Sequence, residues 1–165
     1  MRKLLLLFFL VATCTGNSGN VPITYATRKT EQYSIEYPNG WKVVEKPDAL
    51  SDVYIGDVRG NLGLTILYFD SKMKLDAINK EGIKNMKDAG INATLNEKVS
   101  IAGCPGFKTV YDFSFSNTEC RQISYTLKKD KTVFNIKFGN KRSELEQNEE
   151  IIEHIINSFN VDIEK

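Results

Sequence analysis

The sequence has little of the material from which metal, redox and nucleotide sites are usually built. Its 165 residues include one histidine, His154, which excludes a metal site made of several histidines. There is no Cys-x-x-Cys pair, no Gly-x-x-x-x-Gly-Lys loop and no Gly-x-Gly-x-x-Gly segment after a strand, so the strongest signals of a redox dithiol and of phosphate binding are missing. We therefore predict no cofactor, no metal site and no catalytic residue.

The sequence also lacks an excess of charge of either sign. Removing Arg2 and Lys3 with the first 13 residues leaves 20 Lys and Arg against 21 Asp and Glu. A nucleic-acid partner requires a strongly basic face, and the two signs are interspersed here. The balance predicts that the protein does not bind nucleic acid.

The apolar run at the N-terminus is too short to cross a membrane. It extends from Leu4 to Ala12, whereas a spanning helix needs roughly 18 apolar residues or more. Preceded by Arg2 and Lys3, such a run is typical of an export signal. We predict that residues 1–13 form an export signal peptide.

The end of this signal resembles the lipobox of bacterial lipoproteins, on the residues Leu10-Val11-Ala12-Thr13-Cys14. The resemblance implies that Cys14 is acylated and becomes the mature N-terminus, which would tether the protein to an envelope membrane. The alternative is ordinary cleavage into a soluble secreted or periplasmic protein. Small polar residues follow Cys14, so we predict that residues 14–30 combine the lipid-attachment cysteine with a flexible linker.

The two remaining cysteines, Cys104 and Cys120, are predicted to stay unpaired, although an exported protein could oxidise them. If Phe107–Phe115 and Cys120–Leu127 form a hairpin, Cys120 lies beside the turn and Cys104 beyond the far end, about 30 Å away. A disulfide needs Cα atoms within about 7 Å.

Alternation with period two predicts a mainly β domain over residues 31–165. Phe107, Tyr111 and Phe113 alternate with polar residues, and we expect them to form one buried aromatic face with Tyr125 and Phe134 on the neighbouring strands. The predicted strands are 33–37, 41–44, 53–57, 62–69, 91–101, 107–115, 120–127 and 134–138.

Two amphipathic helices are predicted on this sheet. The first runs from about Lys72 to Ala89 with Ser71 as its N-cap, and Gly82 on its apolar stripe predicts a close approach of helix to sheet. The second runs from Glu144 to Ser158, with Ser143 and Glu146 as a capping box. Its polar side is expected to be a solvated face, with His154 at the edge of that face.

Several segments resemble PsbP-like domains (the Mog/PsbP-like fold). Tyr33–Trp41 is similar to the family's opening strand and Pro-x-Gly-Trp turn, and Val99–Phe107 to its strand ending in Gly-x-Pro. Gln122–Leu127 resembles the next strand, and Ile155–Val161 the closing Ser-Phe helix. The resemblance implies an α+β fold in which a central antiparallel β-sheet is flanked by helices on both faces, an α/β/α sandwich.

The resemblance implies binding rather than catalysis, since the family includes extrinsic subunits of photosystem II and bacterial envelope lipoproteins. We therefore expect a lipid-anchored envelope protein with a non-catalytic accessory or binding domain, a membrane contact through the lipid, and an envelope protein partner. An exported hydrolase using carboxylates such as Asp57, Asp70 or Asp112 is the alternative. A purely structural envelope protein is a third.

Overall fold

The computed structural model describes residues 22–161, which form a mostly antiparallel β-sheet with three helices, an α+β architecture. Cys14 and the predicted signal peptide lie outside the described residues. The elements are β1 (Tyr25–Lys29), β2 (Ser34–Pro38), β3 (Lys42–Glu45), β4 (Val53–Gly56), β5 (Gly63–Asp70), α1 (Leu75–Asp88), β6 (Ala93–Ile101), β7 (Cys104–Phe115), β8 (Thr118–Lys129), β9 (Thr132–Lys141), α2 (Arg142–Gln147) and α3 (Glu149–Ser158).

Seven strands form the large sheet, in the order β3-β4-β5-β9-β8-β7-β6, and all neighbours are antiparallel. Strands β1 and β2 form a separate two-stranded sheet. Strand β1 falls inside the segment predicted as linker, residues 14–30. The folded part of the chain therefore starts before residue 31, and a linker after Cys14 is correspondingly shorter.

The hydrophobic core joins one side of the large sheet to β2, α2 and α3. Phe134 on β9 is fully buried and its ring packs on Tyr33, Tyr68 and Phe159, with ring centroids 5.6 to 6.4 Å apart. The fully buried apolar residues also include Ile35, Val53, Ile55, Ile66, Leu127, Ile136, Phe138 and Ile155. Burial of apolar area on this scale is the main force that stabilises the domain.

The aromatic residues of β7 do not share a face with those of β8 and β9, so the predicted single aromatic face is wrong. Tyr125 is paired with Lys108 on β7 and Ile136 on β9, and paired residues point to the same side of a sheet. Phe107, Tyr111 and Phe113 therefore point to the side opposite Tyr125. Phe115, at the end of the same row, is 71% exposed.

Both predicted helix caps differ from those observed. Helix α1 begins after Lys74, and Ser71 instead accepts a hydrogen bond from the amide of Met73, 3.2 Å away. The second helix is broken at Asn148 into α2 and α3, and α2 has no side-chain cap. Glu146 binds Arg142 at 2.8 Å and Arg121 at 3.1 Å instead of capping the helix, because ion pairs to two guanidinium groups are available.

Cys104 and Cys120 carry free thiols at opposite ends of the β7 and β8 hairpin. Burial raises the pKa of the Cys104 thiol. None of the helices within residues 22–161 combines the length and apolar character required to cross a bilayer.

Candidate functional site

A cavity of about 450 Å³ lies between α1 and the large sheet, on the side that faces away from the Phe134 core. Along each strand, residues next to a core position point to the opposite side of the sheet, and the sheet therefore contributes polar side chains to the cavity. Its lining residues from the sheet include Thr109, Tyr111, Gln122, Ser124, Thr126, Asn135 and Lys137, and those from α1 include Ile78, Asn79, Gly82 and Met86. This is the size range of small-molecule sites, which are partly apolar with a few placed polar groups.

Hydrogen bonds among side chains hold the polar groups on the sheet side of this cavity in place. The Thr109 hydroxyl donates to Asn96 Oδ1 at 2.9 Å, and Asn79 Nδ2 donates to the same oxygen at 3.1 Å. On the central strands, Asn135 Nδ2 donates to the Thr126 hydroxyl at 2.9 Å. Since Asn79 is the buried residue of α1, these bonds also attach the helix to the sheet.

Lys137 places an ammonium group in a setting otherwise lined mainly by hydroxyls, amides and apolar groups. The side chain is half-buried, and its ammonium group makes no hydrogen bond or ion pair with any residue in the described range. Burial lowers its pKa, against a weaker opposing effect of the Asp48 charge. Such an ammonium would bind an anionic or strongly polar group of a ligand, because it keeps unused donors where water is restricted.

Helix α1 stands away from the sheet at Gly82, so the predicted close approach is wrong. A methyl group at Gly82 would meet no atom within 4 Å. The apolar residues Ile78 and Met86 are only half-buried and line the cavity. The apolar stripe that predicts a packed helix here forms one wall of the cavity.

The structure does not bring together the three carboxylates of the hydrolase alternative. Asp57 accepts a hydrogen bond from the amide of Asn61 at 2.8 Å, within a turn. Asp70 pairs with Lys131 at 3.0 Å at the start of β9, and Asp112 pairs with Arg121 near the opposite end of the sheet. Strands β5 and β7 are three strand spacings apart, about 14 Å, which separates Asp70 from Asp112.

The pKa values of these carboxyls follow from their partners. Hydrogen bonds from Lys131 lower the pKa of Asp70, and the Arg121 guanidinium lowers that of Asp112. Both groups therefore remain ionised at neutral pH, whereas a general acid requires a raised pKa. Among residues 22–161, no three His, Cys, Asp or Glu side chains are grouped as a metal site requires.

His154 is on the domain surface but is not isolated. Its Nε2 lies 2.9 Å from Glu36 Oε2, and its ring stacks on Tyr25 with centroids 3.7 Å apart. These contacts attach β1 and β2 to α3, so the histidine takes part in the packing of these elements.

Sequence reasoning missed Lys137 and Asn79. A signal for Lys137 was available, since a lysine alternates with Phe134, Ile136 and Phe138 in what must be a central strand. A charged residue at that position indicates that the side of the strand facing away from the core is accessible to water or to polar groups. For Asn79 there was no signal, because its role depends on Asn96 and Thr109 from distant strands.

The fold is shared with a cyanobacterial protein. The solution structure of cyanobacterial PsbP (CyanoP) from Synechocystis sp. PCC 6803 matches this chain with a TM-score of 0.66 and 15% sequence identity. The match covers 92% of this chain and 98% of the cyanobacterial one. The chain has the PsbP-like fold. The resemblance predicted from the sequence motifs is thereby confirmed at the level of fold.

Two other solved structures share the PsbP-like architecture. LpqN, described as involved in cell envelope biogenesis of Mycobacterium tuberculosis, matches with a TM-score of 0.57 and 10% identity over 84% of this chain and 91% of its own. A Pseudomonas aeruginosa protein of unknown function, described as a putative regulator, matches with a TM-score of 0.55 and 10% identity over 81% and 94%. No protein-family model and no curated protein sequence matches the chain.

Proposed function

We propose that this chain is an exported protein of the bacterial envelope, anchored through lipid on Cys14, whose PsbP-like domain is a non-catalytic accessory module that binds a small envelope component. The cavity between α1 and the sheet is the observation that carries the binding role. Its fixed hydroxyl and amide groups and its unpaired ammonium suit recognition of a polar ligand. A protein partner from the envelope stays a prediction from the sequence.

We also propose that the large sheet lies between α1 on one side and α2 and α3 on the other, which is an α/β/α sandwich. Two sets of contacts support it. Asn79 on α1 contacts Thr109, whereas Phe159 beyond α3 packs on Phe134. Thr109 is paired with Ser124, which is paired with Lys137, so these three side chains point to the same side of the sheet. Phe134 precedes Lys137 on β9 by three residues and therefore points to the other side. The two contacts thus lie on opposite sides of the sheet.

Envelope location is supported by the lipobox resemblance and by the fold of LpqN, which is described as acting in envelope biogenesis. The non-catalytic role is supported by the separate engagement of Asp57, Asp70 and Asp112. Acid and base catalysis by carboxylates needs two such groups at one site, which these three do not provide.

Replacement of Cys14 by alanine is expected to abolish incorporation of labelled palmitate in bacterial cells, because the acyl chains require the thiol and the new N-terminus. The variant should move from the membrane fraction to the soluble fraction. Cys120→Ala is the matched control, since it removes a half-buried thiol far from the signal and should keep the label. Label that persists in Cys14→Ala would exclude this anchor.

Replacement of Gly82 by phenylalanine is expected to remove the ligand from the cavity. The side chain would project from α1 into open space and fill it, so the fraction of protein carrying a co-purified small molecule should fall about tenfold or more. The measurement is native mass spectrometry of the full chain extracted from its membranes in mild detergent.

The matched control for this variant is Gly82→Ala. It meets no atom within 4 Å and should keep the ligand, while a better helix propensity stabilises the domain by about 0.5–1 kcal/mol. Equal ligand content in wild type and Gly82→Phe would place the ligand elsewhere. A wild-type chain that carries no ligand would favour the purely structural envelope protein.

A further inference from the structure

Three of the most exposed apolar side chains project from one end of the domain. Ile23, Val58 and Phe115 are 52%, 80% and 71% exposed. They belong to three separate segments, namely the residues ahead of β1, the turn between β4 and β5, and the tip of the β7 and β8 hairpin. Together they are here called the tip surface.

The register of the strands places these segments at the same end. Lys141 at the end of β9 is paired with Cys120, next to the hairpin tip. Asn140 Nδ2 donates to the carbonyl oxygens of Gly60 and Asn61 at 2.7 and 2.8 Å, which brings the Val58 turn to that end.

The N-terminal segment leaves the domain at this end as well. Strand β3 starts here because Lys42 is paired with Gly56, so the turn after β2 is also here. The amide of Asn39 in that turn donates to the carbonyl oxygen of Thr24 at 2.8 Å. Ile23 is therefore both part of the tip surface and the point where the chain continues toward Cys14.

The short distance along the chain to Cys14 limits which end can meet a membrane. Nine residues lie between Cys14 and Thr24, and the ten steps from one to the other span at most about 36 Å when fully extended. Strand β8 has 12 residues and extends about 37 Å from the hairpin tip to the far end of the sheet. A chain anchored at Cys14 would need its whole tether at full extension to bring the far end of the domain to the bilayer, so the short tether favours the near end.

The surroundings of the tip surface fit a lipid surface. Lys42, Arg59 and Lys141 are exposed at the same end, and no ion pair joins them to a residue of the described range. Two carboxylates at this end, Glu119 at the hairpin tip and Asp57 beside Val58, carry the opposite charge. Cations beside exposed apolar groups suit the interface of a membrane that contains anionic lipid.

Other exposed apolar side chains have different settings. Phe69 and Met73 line the cavity beside α1, Leu95 lies on the edge strand β6, and Leu50 is in the loop between β3 and β4 at the far end.

We propose that the tip surface enters the headgroup region of the membrane that carries the lipid anchor, so that the domain stands on the bilayer with the sheet end at Phe115 inward. The proposal rests on the anchor at Cys14 proposed above. It fixes the orientation of the domain, with the far end, including Leu50 and the start of β9, directed away from the lipid.

Quenching of tryptophan fluorescence by brominated lipid tests this orientation. Trp41 is replaced by phenylalanine in the full lipidated chain, and one tryptophan is introduced as Phe115→Trp or, as the matched control at the far end, Leu50→Trp. Leu50 is 82% exposed, so both substitutions change the surface only. The proteins are reconstituted in vesicles of phosphatidylethanolamine and phosphatidylglycerol with brominated acyl chains.

We expect emission of Phe115→Trp to fall about twofold or more and that of Leu50→Trp to stay unchanged, because bromine on the acyl chains quenches only a tryptophan that reaches the boundary between headgroups and acyl chains. No quenching at either position, or equal quenching at both, overturns the proposal. A blue shift of Phe115→Trp without quenching would also overturn it, since that result indicates a second copy or a protein partner. If Trp41→Phe unfolds the chain, the same pair is compared with Trp41 retained, and the quenching measured for the wild-type chain, whose one tryptophan is Trp41, is subtracted from both.

Failure of the anchor itself is distinguished by mass spectrometry of the same preparation. A chain without acyl groups refutes the proposed anchoring and is then coupled at the Cys14 thiol to a maleimide lipid, with Cys120 replaced by alanine. The orientation is then measured as before. An acylated chain without quenching at position 115 leaves the anchor intact and refutes only the orientation.

Discussion

Replacement of Phe134 by alanine is expected to lower the free energy of unfolding by about 3–5 kcal/mol. The ring is fully buried at the centre of β9 and packs on Tyr33, Tyr68 and Phe159. Its removal forfeits the transfer free energy of the ring and leaves a cavity that the surrounding sheet cannot close. Domains of this kind have about 5–15 kcal/mol in total, so the variant should be close to unfolding at physiological temperature.

Urea denaturation followed by circular dichroism measures this loss, and the chain offers a matched control. Phe115→Ala deletes the same atoms from a side chain that is 71% exposed, and it should change stability by no more than about 0.5 kcal/mol. Equal losses in the two variants, or a loss below about 1 kcal/mol at position 134, would show that the aromatic cluster is not the centre of the core.

Replacement of Asp52 by alanine is expected to cost about 2–3 kcal/mol, because it leaves the buried Tyr33 hydroxyl without its acceptor and removes one of the two carboxylate partners of Arg28. The hydroxyl of Tyr33 donates to Asp52 Oδ2 at 2.6 Å, and Arg28 Nη2 lies 3.3 Å from the same oxygen. Tyr33 is fully buried, and burial raises the pKa of its hydroxyl, so the group stays protonated and remains a donor. The Arg28 guanidinium keeps Glu45 as a partner, which limits the loss.

A double-mutant cycle with Tyr33→Phe checks the origin of this cost. Tyr33→Phe removes the donor, so adding Asp52→Ala to it should cost at least about 1 kcal/mol less than Asp52→Ala alone. The measurement is again the free energy of unfolding in urea. Additive losses in the double variant would mean that the Tyr33 to Asp52 hydrogen bond contributes nothing.

Much of the fold was predictable because the strands show alternation of apolar and polar residues with period two. The large sheet contains strands at almost all of the predicted places, and the order of elements agrees with the PsbP-like motifs. Helix α1 was predicted within three residues at each end, since Gly90 follows it and its φ of +83° suits a glycine after a helix. Local patterns of this kind need no knowledge of distant contacts.

The candidate site was not predictable, because it depends on register. Alternation shows that Tyr111 and Tyr125 each have an apolar neighbour two positions away, but it does not show whether they point to the same side. A shift of one residue in the pairing of β7 with β8 exchanges the two sides of the sheet. The observed register puts Tyr111 with Gln122 in the cavity and Tyr125 in the core.

By itself, the sequence determined most strands of the large sheet, helix α1 and the surface position of His154, since these follow from local composition and spacing. The export signal was predicted in the same way, and the lipid anchor was predicted from the resemblance to a lipobox. Three features were decided by the tertiary structure alone. They are the side of the sheet that packs in the hydrophobic core, the position of α1 as a wall of the cavity, and the entry of the chain into the domain at the end that carries Phe115. The physical reason is that a side chain's environment depends on strand register and on contacts between residues far apart in sequence, which local patterns do not encode.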